Sequence, residues 1–217
     1  NGICESWFKD GTLHEQKNFK DGLADGLQIE FYSSGEPAKK LQYHLGELDG
    51  LQTSYYGSGI KKNETNYNKG LLHGTKTNWD TNGSIVELAN YRNGNLDGRY
   101  FRQQQDGRQI IYHYSNGILN GSHQIYYPPQ DFFGQVKAFE ANYLNGELDG
   151  EATEFNEGGT KIASTAYSTG KKEGKILLYR DDGCLKISAS FSNDKQNGPA
   201  FEYYPSGAIA KEAFIQD

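Results

Sequence analysis

The stretch Tyr43-His44-Leu45-Gly46-Glu47-Leu48-Asp49-Gly50-Leu51-Gln52-Thr53-Ser54-Tyr55-Tyr56 decides the fold. It holds two glycines four residues apart, an aromatic just before the first and another five residues after the second. The layout returns at Tyr143 to Phe155, centred on Asn145-Gly146-Glu147-Leu148-Asp149-Gly150. Working outward, a first glycine series runs Gly2, Gly26, Gly50, Gly74, Gly98, Gly121, Gly150, Gly174 and Gly198, in steps of 24 residues apart from one of 23 and one of 29. A second series (Gly11, Gly35, Gly59, Gly83, Gly107, Gly134, Gly159, Gly183, Gly207) follows it by nine residues in all units but one. A third series, Gly22 to Gly170, precedes it by four, with Asp194 in the last copy. These columns hold 25 of the 27 glycines. Such a fixed period marks a repeat array.

Aromatics keep the same register. Five residues after the first-series glycine stand Trp7, Phe31, Tyr55, Trp79, Tyr126, Phe155, Tyr179 and Tyr203, with Gln103 the exception. Just before the third series stand Phe19, Tyr43, Tyr67, Tyr91, Tyr114, Tyr143, Tyr167 and Phe191. Each unit reads as strand, glycine turn, strand, glycine turn. Residues 27–32 alternate, with Leu27, Ile29 and Phe31 on one face and Gln28 and Glu30 on the other. Asn93-Gly94, Asp97-Gly98 and Asn145-Gly146 are turn dipeptides in which glycine supplies positive φ. A helix would lose about 1 kcal/mol at every such glycine. The expected fold is therefore all-β: an elongated single-sheet repeat protein of about nine stacked 24-residue β-hairpins, forming one domain over 1–217. Strand spacing alone would extend it roughly 85 Å, with the aromatic columns packing between neighbouring units as its core. Leucine-rich repeats need Leu at several fixed offsets, and choline-binding repeats need more than two Trp.

The unit Tyr43–Tyr56 and its copy at 143–155 resemble the MORN-repeat family. The closer likeness is to the variant of about 24 residues found in bacterial proteins classed as YwqK-like antitoxins. The resemblance implies a non-catalytic protein that binds another protein: an immunity protein or antitoxin neutralising a cognate toxin, among them phospholipase effectors delivered by type VI secretion. Eukaryotic relatives imply lipid binding and scaffolding. The alternative reading is a structural scaffold or surface adhesin that self-associates through sheet edges or stacks sugars, with Tyr56, Tyr127 and Tyr204 as candidate platforms.

Composition narrows the classes. With 22 Lys+Arg against 28 Asp+Glu, the net charge of −6 does not suit a nucleic-acid backbone or an anionic membrane. Sixteen Tyr and eleven Phe exceed what a disordered chain carries. No apolar run approaches the length of a transmembrane helix. The chain opens in mid-repeat at Asn1-Gly2 and contains no Met. The readings are a trimmed chain or a removed leader of lipoprotein type, the latter placing the protein in the periplasm, with the cytoplasm as alternative. Cys4 and Cys184 lie seven units apart, so two free thiols, buried or inert, are expected.

No motif for catalysis, cofactor or metal stands out. The five histidines show no ligand spacing. The column Asp25, Asp49, Asp97 and Asp149 reads as turn aspartates bonding local backbone N–H groups. One region, 99–134, breaks the repeat: Gln103 replaces the aromatic beside Tyr100 and Phe101, one return strand is a residue short, and Tyr126-Tyr127-Pro128-Pro129-Gln130-Asp131-Phe132-Phe133-Gly134 adds four residues to a turn. Insertions in repeat arrays map to loops on one face, often the binding face. The candidate partner-binding residues are therefore Tyr100, Gln103, Pro128, Pro129, Asp131, Phe132 and Phe133. Phe132 and Phe133 either anchor a partner or fold back over the gap left by Gln103.

Overall fold

The computed structural model describes residues 1–129 and 134–216. It is all-β, with twenty-one strands and no helix among the described residues. The chain divides into two compact units, Asn1–Arg102 and Gln103–Asp217. Within each, strands pair antiparallel with their neighbours in the chain. In the first unit Gly26–Phe31 pairs with Pro37–His44, which pairs in turn with Gly50–Tyr55. In the second, Gln109–Ser115, Ile118–Tyr126, Lys137–Leu144 and Gly150–Phe155 follow the same rule.

Two kinds of turn generate this order. At the third glycine series both central residues have positive φ, as at Asn93 (49°) and Gly94 (88°), which is the type I′ turn whose twist matches a hairpin. Asn suits the first position because its short polar side chain tolerates the left-handed region. Leu45 and Thr169 nevertheless occupy it, at 48° and 47°. Their N–H groups donate at 3.4 Å to Asp25 and Asp149 respectively. These aspartates thus reach the turn of the following repeat instead of bonding only locally, and Asp25 also lies 3.3 Å from His44 Nδ1. Asp194 fills the glycine position of the last such turn at φ 67°, and its carboxylate accepts the Lys172 N–H at 2.8 Å. A branched side chain in the left-handed region costs about 1–2 kcal/mol. Thr169→Asn is therefore expected to slow local opening of the Thr169-Gly170 hairpin in native-state hydrogen exchange by about 1 kcal/mol.

At the second glycine series the register slips by one residue just before the aromatic: Glu30 faces Lys39 while Phe31 faces Pro37, leaving Ala38 as an extra residue. The same bulge recurs before Trp7, Tyr55, Tyr126, Phe155, Tyr179 and Tyr203. One bulge per hairpin bends the strand and strengthens its twist.

The core is thinner than the aromatic columns suggest. Its buried apolar side chains among the described residues are alanines: Ala38, Ala89, Ala141 and Ala152. The aromatics from Phe31 to Tyr203 are half-buried, and Trp7 is 58% exposed. Lys40, Lys61 and Lys161 lie over the rings of Tyr55, Trp79 and Tyr179, so cations cover faces that a second layer would otherwise seal. The remaining buried positions are polar, and two of them act as brackets. Gln28 Oε1 accepts the Asn18 N–H at 3.0 Å, and its Nε2 donates to Asn18 O at 2.7 Å. Gln52 does the same to Gln42 at 2.7 and 3.0 Å. Each side-chain amide stands in for a strand at the point where the hairpin backbones part.

Candidate partner-binding surface

The irregular repeat is braced at its base. Residues 104–108 form a turn in which Gln104 N donates to Arg108 O at 2.8 Å and Gly107 N to Gln104 O at 3.0 Å. The Asp106 carboxylate accepts the Arg108 N–H at 3.0 Å. The lengthened turn leans on this one. A methyl group built on Gly107 would lie 3.1 Å from Pro128 Cβ. The Arg108 guanidinium sits 5.6 Å from the Tyr127 ring centre. Gln135 Nε2 donates to Gln109 Oε1. On its other side the loop is tied forward: Tyr127 N donates to Val136 O at 2.9 Å and Tyr127 OH to Phe155 O at 2.8 Å. Pro128 and Pro129 are exposed above these fastenings. Asp131, Phe132 and Phe133, also expected at this surface, lie outside the described residues.

Tyr100 belongs to the first unit, on the strand Asn95–Gln103, and is half-buried. Burial raises its phenol pKa, with the Glu87 charge adding to it, so the ring presents a neutral hydroxyl. Gln103 ends that strand, half-buried.

A ladder of tyrosines escaped the sequence reading. Tyr32 OH donates to Tyr55 O at 2.6 Å, and Tyr56 OH to Trp79 O at 2.8 Å, each spanning one repeat. Tyr127 is a third such tie, and Arg180 performs the job with its guanidinium on Tyr203 O. Tyr56 and Tyr127, expected as free stacking platforms, are thus engaged in holding repeats together; Tyr204 remains 56% exposed. Their common column, one residue past the core aromatic, was the available signal.

The second unit carries a polar groove of about 320 Å³ lined by Ser122, Gln124, Glu140, Asn142, Glu151 and Thr153. Its carboxylates are compensated: Lys137 pairs with Glu140 and Lys161 with Glu151. The Lys161 bond, with help from Ser164 and Thr153, holds Glu151 below the usual carboxylate pKa. Among the described residues no three His, Cys, Asp or Glu side chains gather as metal ligands.

Cys4 and Cys184 are both free, as expected, and both are exposed, so of the two alternatives, buried or inert, burial does not hold. A hydrogen bond to Asp182, reinforced by its charge, pushes the Cys184 thiol pKa up. Since the thiolate is the nucleophile, Asp182→Asn should speed Cys184 modification by a disulfide reagent several-fold near pH 8.

Residues 1–21, 24–44, 48–69, 72–93 and 196–217 each match the family described as MORN repeat variant. No curated protein matches the chain. The matched stretches run from one glycine-turn hairpin to the next, so this is an all-β protein carrying MORN repeat variants.

Proposed function

We propose that the protein is a non-catalytic binding module that neutralises a cognate bacterial toxin or effector enzyme by covering its active-site mouth. The observation that carries this reading is the irregular repeat, in which two exposed prolines stand on a base fastened to the turns before and after it. The described ends of the turn, 127–129 and 134–136, held this way, have little conformational entropy left to lose when a partner docks on them. The MORN repeats support a role in binding, and an acidic chain speeds encounter with a basic partner. The toxin class follows from the resemblance to immunity proteins and includes secreted phospholipases; the encounter would take place in the periplasm. The test is co-expression. A partner enzyme that arrests growth alone and is silent with this protein present supports the reading; growth arrest that persists at equal levels of both proteins defeats it.

A second reading is favoured by the strand Ile209–Ile215, whose Phe214 is 70% exposed beside exposed Ile209 and Ile215. An apolar strand of this kind suits self-association of a scaffold. Light scattering that shows oligomers growing with concentration, reversed by Phe214→Lys, would favour it.

A further inference from the structure

We propose that His123 makes the centre of the second unit an acid-sensitive latch, in which protonation of its imidazole opens the pairing of Ile118–Tyr126 with the strands on either side. His123 occupies the column that holds the bracketing amides Gln28 and Gln52 in earlier repeats. It does not bracket. Its ring is only 8% exposed, and neither Nδ1 nor Nε2 has a hydrogen-bond partner. It stacks instead on Tyr112, with centroids 4.2 Å apart and planes at 22°, and it meets Phe139 at 5.0 Å and Tyr143 at 6.0 Å.

The neutral ring fits this setting as an aromatic among aromatics. A charged one does not, because a second N–H and a full positive charge would be buried without an acceptor. Among the described residues, the group facing it from Gln109–Ser115 is Tyr112, which has Tyr114 beside it, and burial keeps both phenols protonated. From Lys137–Leu144 they are Phe139, Ala141 and Tyr143, and Lys137 on that strand is already paired with Glu140. One strand further, Glu154 lies opposite Phe139. Its own strand carries no charged residue.

The sign follows from burial, which lowers the imidazole pKa. The folded unit then binds fewer protons than the unfolded chain. The stability contributed by neutral His123 is complete above the ordinary value of about 6.5 and is lost as pH falls through the lowered one. Because Lys137–Leu144 follows directly on the lengthened turn, opening this pairing also frees one foot of the loop. The latch does not depend on what the loop binds.

The test uses the labelled full chain and follows the five histidine rings by NMR from about pH 8 to about pH 5. His123 is expected to take up its proton only below the ordinary imidazole range. Over the same range, amide exchange in Ile118–Tyr126, corrected for intrinsic rate, should rise about tenfold or more, while Gly26–Phe31 stays unchanged. His123→Phe keeps the stack and should abolish the acid response. If that variant fails to fold, His123→Gln restores the amide of the other repeats and should abolish it equally. Uptake of the His123 proton within the ordinary imidazole range, or an acid response that persists in the variants, overturns the proposal.

Discussion

Gln52→Ala is expected to weaken the hairpin around Gln42 and Gly50 by about 2 kcal/mol, read as faster native-state hydrogen exchange confined to the repeats on either side. Gln52 is 5% exposed, and its amide both accepts from and donates to the Gln42 backbone. Removing it leaves the Gln42 N–H without its acceptor, whereas Gln42 O keeps the Asp49 N–H at 3.0 Å. Gly50 O also loses the 3.2 Å bond it accepts from Gln52 Nε2, so the loss is one unsatisfied donor, one acceptor bond and the space vacated. Gln52→Glu separates the two bonds. An ionised carboxylate still accepts from Gln42 N–H but turns a second acceptor toward Gln42 O, so this variant should recover toward wild type only as pH falls and the carboxyl regains a proton. Equal exchange in wild type and Gln52→Ala would show that the bracket is incidental.

Gly107→Ala is expected to cost about 2–4 kcal/mol locally and to displace the loop. Two effects add. At φ 86° any side chain is strained, by about 1–2 kcal/mol. The new methyl group also meets Pro128 Cβ at 3.1 Å, and a proline ring cannot swing aside as a flexible chain end would. Gly59→Ala is the matched control, with φ 82° and nothing within 4 Å of the added carbon. The difference between the two variants isolates the Pro128 contact. Exchange at the Tyr127 N–H, which is bonded to Val136 O, reports it directly. If Gly107→Ala and Gly59→Ala lose equal stability and protect Tyr127 equally, the loop is not seated on the preceding turn.

The hairpins were legible because turn chemistry is local. Positive φ at Gly46, Gly94 or Gly146 has few other solutions, and its spacing alone delivers strand, turn and strand. The bulges were not legible. Ala38, Lys62 and Ile162 share a bulge position but no side-chain character, because the slip is made by backbone against backbone. The aromatic columns located the strands correctly but suggested a deeper core than forms. A ring that packs on an open sheet stays half-exposed, and lysines such as Lys61 over Trp79 cover it. The brackets were hidden for a different reason. Gln28 and Gln52 look like the polar half of an alternating strand, and only their bonds to Asn18 and Gln42 show the amide replacing a backbone partner.

At the candidate surface, the break in period at 99–134 marked the lengthened turn, since an insertion shows in the spacing whatever it does. Its fastening could not be read in advance. The contact of Pro128 with Gly107 and the Tyr127 bond to Phe155 O join residues 21 and 28 positions apart through bonds that any turn residue or tyrosine could have made elsewhere. Tyr56 and Tyr127 looked like free surface rings for the same reason: a half-buried phenol reveals its tie only through the carbonyl it reaches.

The most direct measurement is quantitative affinity purification from the native host, with wild type, Gly59→Ala and Gly107→Ala as baits. One stoichiometric enzyme partner is expected, retained by wild type and Gly59→Ala and reduced at least about tenfold with Gly107→Ala, in line with the loss of a seated anchor. Recovery of the bait alone, or of a partner held equally by all three, would contradict it.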